Sequence, residues 1–220
     1  MKEIISYTFC GDKKWDKSHL SSLTKLSILC KKENQKMNRP NQSTLISLIL
    51  KSSVAHTLTY FLMGILAYNF LNYEDSFVAG ALENYMRPTD SPWVAAGPGL
   101  QWIRGIIFAL AFYPLREIFF GKKNGWLILG WVLTALGILS TFGAAPASIE
   151  GIIYTNYPAN FFSYVEVVPQ AFLFAGLLYY WVNHPEKKWL NWVLGVFFVL
   201  VVLVSVMGVL AATGVLTVPK

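Results

Sequence analysis

Residues 189–216 read WLNWVLGVFFVLVVLVSVMGVLAATGVL, a run without a single charged side chain. An α-helix of about 20 apolar residues is long enough to cross the hydrocarbon core of a bilayer. The run therefore predicts a transmembrane helix, the longest and most apolar of the chain. Four other apolar runs precede it, near residues 52–71, 100–120, 126–144 and 162–182.

The composition also indicates a chain that is solvated mainly by lipid. Hydrophobic residues make up 55% and charged residues 14% of the 220 positions, and the mean hydropathy is +0.45. Five spans of about 20 residues fill roughly half of the chain and leave no length for a second globular domain. We therefore predict an all-α fold, a polytopic integral membrane bundle of about five transmembrane helices, with one domain over residues 44–220.

Basic residues indicate which end of each predicted span faces the cytoplasm. Nine Lys and Arg residues, against four acids, lie in the polar tail of residues 1–43. The turns GKKNG at 121–125 and NHPEKK at 183–188 are basic as well. By the positive-inside rule, the tail and both turns lie inside and the C-terminus lies outside. The prediction is a multi-pass protein of the cell membrane with a cytoplasmic N-terminus.

The formal net charge of +6 would suggest nucleic acid in a soluble protein. Here the excess lies beside the predicted spans, so we expect anionic lipid headgroups at the tail and no nucleic acid as partners. A helix lying in the headgroup layer and a disordered tail both remain open for residues 1–43. Met37 offers a second start, which would make residues 1–36 an upstream extension. Cys10 and Cys30 lack the spacing of a redox or zinc motif and are interpreted as reduced thiols.

The segment APASIEGIIYTNYPANF, residues 145–161, does not fit an ordinary loop or a span. It is too apolar to be fully solvated, and Pro146, Gly151 and Pro158 interrupt it too often for a transmembrane helix. Lipid does not tolerate unpaired backbone groups. We therefore predict a re-entrant or interfacial segment that packs on the outer side of the bundle.

Ionisable residues within the spans are the first functional candidates, because a charge near the bilayer centre costs at least about 2.5 kcal/mol. The predicted topology places Gln101, Arg104, Glu150 and Glu166 in an outer layer. Gln101, Arg104 and Phe108 share one helix face. An ion pair of Arg104 with either glutamate would neutralise both charges. An anion or headgroup site and a purely structural ion pair both remain open for this layer.

A second, inner layer is predicted around His56 and Glu117. The first two spans are antiparallel, so these side chains could meet and relay protons. One histidine and one glutamate do not make a metal site, and no metal is expected. Pro114 and Pro169 are expected to kink the second and fourth spans.

No GxSxG, Walker or dinucleotide-binding motif occurs, which disfavours a conventional enzyme, and we expect no cofactor. The polar residues in two layers favour permeation of a small solute or ion by a transporter or channel. Two alternatives remain: a lipid-modifying membrane enzyme, and a non-catalytic assembly or sensor subunit. Five spans form a thin bundle, and small residues allow helices to approach closely, so a homo-oligomer is expected. These small residues are Gly130, Thr134 and Gly137 in the third span and Ser205, Gly208 and Ala212 in the fifth.

Overall fold

The computed structural model describes residues 44–71, 87–88, 90–141, 148–154 and 161–216, all within the compact unit Asn41–Lys220. These ranges contain helices and no strand, as the sequence predicts. The helices are α1 (Leu45–Phe70), α2 (Pro92–Phe112), α3 (Arg116–Phe119), α4 (Gly125–Thr134), α5 (Ile149–Tyr154), α6 (Phe161–Asn183) and α7 (Lys188–Ala212). A π-helical turn, Ala135–Leu139, continues α4.

Four helices are long and apolar enough to cross a membrane. They are α1, α2, α7 and the Tyr164–Asn183 part of α6. The third predicted span, 126–144, is shorter than expected, because regular α-helix ends at Thr134 and only one π-helical turn follows. A fifth crossing at this position stays a prediction.

The second predicted span, 100–120, is shifted along the chain. Helix α2 starts at Pro92, next to Ser91, because proline needs no hydrogen-bond partner for its nitrogen at a helix start. The predicted kink at Pro114 is wrong: α2 ends at Phe112, and the short α3 follows. A proline lacks the N–H that would continue the helical ladder. Pro98 and Pro169, by contrast, lie inside α2 and α6.

Helix α1 is the centre of the bundle and packs against α2, α6 and α7. Thr44 is its N-cap: the Thr44 hydroxyl accepts a hydrogen bond from the Ser47 backbone N–H at 3.3 Å. Helix α7 packs on α2, and α4 packs on α6. The contacts of Ser53 with Trp102 and of His56 with Gln101 make α1 and α2 antiparallel. Those of Lys51 with Trp181 and of His56 with Phe174 make α1 and α6 antiparallel, so α2 and α6 run in the same direction.

Several basic residues of the bundle lie at one end. The Lys51 ammonium donates a hydrogen bond to the Trp181 carbonyl at 3.0 Å. The Tyr179 hydroxyl donates to the carbonyls of Lys122 and Lys123 at 3.0 and 3.1 Å. The start of α1, the 121–125 turn and the end of α6 therefore meet, and we call this the basic end. It is the arrangement that the positive-inside rule requires of these segments.

Small residues bring helices together within the chain. A Cβ atom added at Gly99 would lie 2.9 Å from the Ser205 Cβ, and one at Gly208 would lie 3.3 Å from the Ala95 Cβ. The predicted small-residue face of the last span therefore packs on α2 of the same chain. Gly130 of α4 likewise lies close to Phe172 of α6, because it has no side chain. Close approach of this kind is typical of helix pairs in membranes.

The tightest crossing is that of α1 and α2 at Gly105, so Gly105→Ala should destabilise the bundle by about 1–3 kcal/mol. Gly105 is buried, and its added Cβ would overlap the backbone of Ser53. Thermal unfolding of the purified protein in detergent would measure the loss.

Gly64→Ala is the matched control, because within the described part of the chain no atom lies within 4 Å of a Cβ added there. It should leave the unfolding temperature unchanged or raise it slightly. Equal behaviour of the two variants would contradict the proposed crossing point.

Candidate functional site

Polar side chains form the buried face of α1. Ser52 and Thr57 are fully buried, and His56 is 4% exposed. Ser53 and Thr59 complete this polar face. Helix α7, by comparison, contributes apolar outer surface. Its exposed large apolar side chains are Val196, Phe197, Val199, Leu200, Leu203, Val204, Val206 and Met207. Polar groups inside and apolar groups outside are what lipid solvation favours.

His56 is the titratable residue at the centre of this face. Its Nε2 lies 3.2 Å from Oε1 of Gln101 on α2. The Gln101 amide nitrogen donates to the Gly97 carbonyl at 3.3 Å, which leaves its oxygen as the acceptor for the histidine N–H. The network thus assigns the proton to Nε2. Nδ1 is then a buried acceptor, and no partner for it occurs among the described residues.

Aromatic rings enclose His56 on the side of the basic end. The rings of Phe108 and Phe174 lie 5.0 and 5.2 Å from the imidazole, both edge-on. Phe108 stacks on Phe112 at 5.7 Å, and Phe112 contacts Phe119 at 5.6 Å. We call Phe108, Phe112, Phe119 and Phe174 the aromatic cluster. It joins α2, α3 and α6 between the polar face and the basic end.

Two charged residues flank the polar face. Arg104 on α2 is exposed, and its guanidinium lies 5.8 Å from the Phe108 ring centroid. Glu166 lies on α6 and is partly buried. Both interact electrostatically with the Tyr60 hydroxyl, and Arg104 also with His56. The site therefore combines a histidine, an amide, a phenol and two opposite charges across three helices.

The structure regroups the residues that the sequence assigns to two layers. His56 and Gln101 share a hydrogen bond, so they lie at one depth rather than in an inner and an outer layer. The reason is that α2 begins at Pro92, which places Gln101 in mid-helix.

Glu117 lies apart from this group. It is in α3, beyond the aromatic cluster, and exposed. It shares no hydrogen bond or ion pair with His56 in the part of the chain that the structure describes.

Glu150 is at the start of the short α5 and is exposed. Ser148 precedes this helix, and its hydroxyl caps the helix by accepting a hydrogen bond from the Gly151 N–H at 2.9 Å. Most of the segment 145–161 lies outside the described residues, so its re-entrant or interfacial nature stays a prediction. The same holds for an ion pair of Arg104 with Glu150 or Glu166.

Sequence reasoning missed Tyr60 and Phe174 as members of the site. Tyr60 could have been found, because it follows His56 by four residues and therefore shares its helix face. Helical spacing alone cannot identify Phe174, because its contact with His56 depends on how α6 packs against α1.

A separate apolar groove of about 230 Å³ lies between α2 and α7. Its residues are Ala96, Gly99, Leu100, Val202, Ser205, Val206, Val209 and Leu210. Within the described ranges, no group of three or more His, Cys, Asp or Glu side chains is placed to hold a metal ion.

Comparison of the chain with protein-family models, curated proteins and solved structures finds no match. The functional argument therefore depends on the geometry of the site itself.

A double-mutant cycle tests the His56–Gln101 contact. We expect Gln101→Leu and His56→Phe each to destabilise the protein by about 1–3 kcal/mol, because each leaves a buried polar partner unsatisfied. The double variant should lose less than the sum, with a coupling of about 0.6–1.7 kcal/mol. Unfolding in detergent measures all four proteins, and strictly additive losses would contradict the contact.

Proposed function

We propose that the protein is a multi-pass membrane protein that lets a small solute or ion permeate, with the polar face of α1 as the pathway. One observation carries this proposal: the polar face of α1 is buried between helices that are otherwise apolar. Polar and ionisable residues that face the interior of a membrane bundle mark substrate or ion pathways. Ser52, His56 and Thr57 each keep a buried polar atom that no described residue satisfies, and a passing solute or water can do so.

The aromatic cluster suggests where such a pathway closes. Phe108, Phe112 and Phe174 pack between the polar face and the basic end, with centroid distances of 5.5–6.2 Å. Apolar constrictions of this kind close pores by excluding water. Opening toward the basic end would require these rings to separate, since α2 and α6 contribute opposite sides of the stack.

In this proposal the third apolar run also crosses the membrane, which gives five crossings with the N-terminus inside. Helix α4 and its π-helical turn would do so at a locally thinned bilayer, as short spans can. A bundle this thin supports a homo-oligomer, in which several copies share the membrane pathway.

Flux into liposomes tests the proposal directly. Vesicles that contain the purified protein should take up potassium, chloride, protons or a small neutral solute faster than protein-free vesicles. We expect His56→Ala and Gln101→Leu to reduce that flux, because each alters the centre of the polar face.

Thr213→Ala is the control, because it also removes a polar group, but an exposed hydroxyl that donates to its own helix at Val209. Flux is measured at a temperature at which every variant remains folded and is expressed per folded protein. Flux that is insensitive to both site variants would contradict the pathway, and turnover of lipid without flux would instead favour a membrane enzyme.

The orientation makes a second prediction. In a background with Cys10→Ser and Cys30→Ser, cysteines at Lys122 and Lys187 should be protected from a membrane-impermeant thiol reagent in intact cells. A cysteine at Val215, beyond the end of α7, should react. Reaction at Lys122 and Val215 alike would contradict the alternating topology.

A further inference from the structure

Arg104 is a charge in the middle of a candidate membrane span. It is the thirteenth residue of the 21-residue helix α2, so it lies about 18 Å from the start of α2 and about 12 Å from its end. Neither end is within easy reach of its side chain, so the guanidinium is not a headgroup anchor of the usual kind. Trp102, Ile103 and Ile107 surround it on the exposed surface of α2.

The guanidinium of Arg104 can donate hydrogen bonds but cannot accept them. An arginine carries five N–H donors in a planar fork. In the described part of the chain, the contact of Arg104 is with the face of Phe108, which accepts none of them as an ordinary hydrogen bond. Arg116, near the basic end, differs because its guanidinium donates to the Tyr113 carbonyl at 3.0 Å.

The residues beside Arg104 do not supply the missing acceptor. Among the described residues, the Gln101 oxygen is bonded to His56 and the Trp102 carbonyl accepts from the Ser53 hydroxyl at 3.1 Å, and neither receives a hydrogen bond from Arg104. Lipid tails offer no acceptor at this depth. Among the described residues this planar fork of donors has no hydrogen-bond acceptor, and such a fork is the group that proteins use to bind carboxylate, phosphate and sulfate.

We infer that Arg104 is an anion-binding residue and that the solute of the pathway carries a negative charge. That the bound anion is the permeating solute rests on the proposed function. Anion binding itself can be measured without transport. Rings of arginine or lysine select anions in membrane pores.

Sulfate binding to the purified full-length protein, in detergent free of phospholipid, tests the site by titration calorimetry. We expect wild-type protein to bind sulfate and Arg104→Gln to bind it at least about tenfold more weakly, because charge-assisted hydrogen bonds are lost. Arg104→Lys should bind with intermediate affinity, since it keeps the charge but not the fork.

Arg116→Gln is the matched control, because it removes the same charge from an arginine whose guanidinium already has an acceptor. It should bind sulfate as wild type does. Each variant is checked by its unfolding temperature, and Arg104→Lys keeps the test decisive if Arg104→Gln does not fold.

The source of the anion is resolved by a second titration with phosphatidylglycerol in the same detergent. Binding of this lipid but not of sulfate, lost in Arg104→Gln, would support the site and assign the anion to a headgroup. Binding of neither probe by wild type would overturn the inference, as would equal binding by wild type and Arg104→Gln.

Liposome flux separates the two proposals. Chloride or sulfate flux that exceeds potassium flux, and that falls in Arg104→Gln, supports both. Anion binding without any flux overturns permeation and leaves the anion site intact. Potassium flux without anion binding overturns the anion site and leaves permeation intact.

Discussion

The bundle depends on covering the polar face of α1. In hydrocarbon, water cannot satisfy a serine, histidine or threonine side chain, so such a face must turn toward other helices. Helix α2 can approach because Gly105 has no side chain, and the Ser53 hydroxyl then reaches the Trp102 carbonyl. The same approach brings Gln101 to His56. Helix α6 covers the other side through Phe174.

This constraint also produces the candidate site. A histidine held by one hydrogen bond and enclosed by rings is well positioned, yet its second nitrogen faces no described partner. Arg104 is the complementary case, since it lies at the edge of the same group and faces outward. One residue is a buried acceptor and the other an exposed set of donors.

The sequence predicts well which helices form, but less well where each helix begins and ends. The apolar runs gave the long helices, because a span needs sustained hydrophobicity whatever its neighbours are. The shared face of Gln101 and Phe108 was also predictable from helical spacing, and both contact His56. The start of α2 was not, since Gly97, Pro98 and Gly99 resemble a loop when read locally. In the structure Gly99 packs closely against Ser205 of α7, a contact that the local sequence does not indicate.

The pairing of His56 with Glu117 failed for a related reason. Counting residues from a predicted span boundary transfers every error in that boundary to the depth of each side chain. Once α2 begins at Pro92 and ends before Pro114, Glu117 belongs to a separate short helix. Contacts between helices distant in sequence, such as that of Phe174 with His56, carry no local signal at all.

The central position of α1 has a consequence for synthesis. Its best window has a mean hydropathy of 1.4, against 3.0 for α7, and it leaves the ribosome before the helices that cover its polar face. In the proposed membrane bundle, a nascent α1 is therefore less suited than α7 to enter lipid alone. Entry as a hairpin with α2 shields His56 first, while the side that faces α6 waits for a segment made about a hundred residues later.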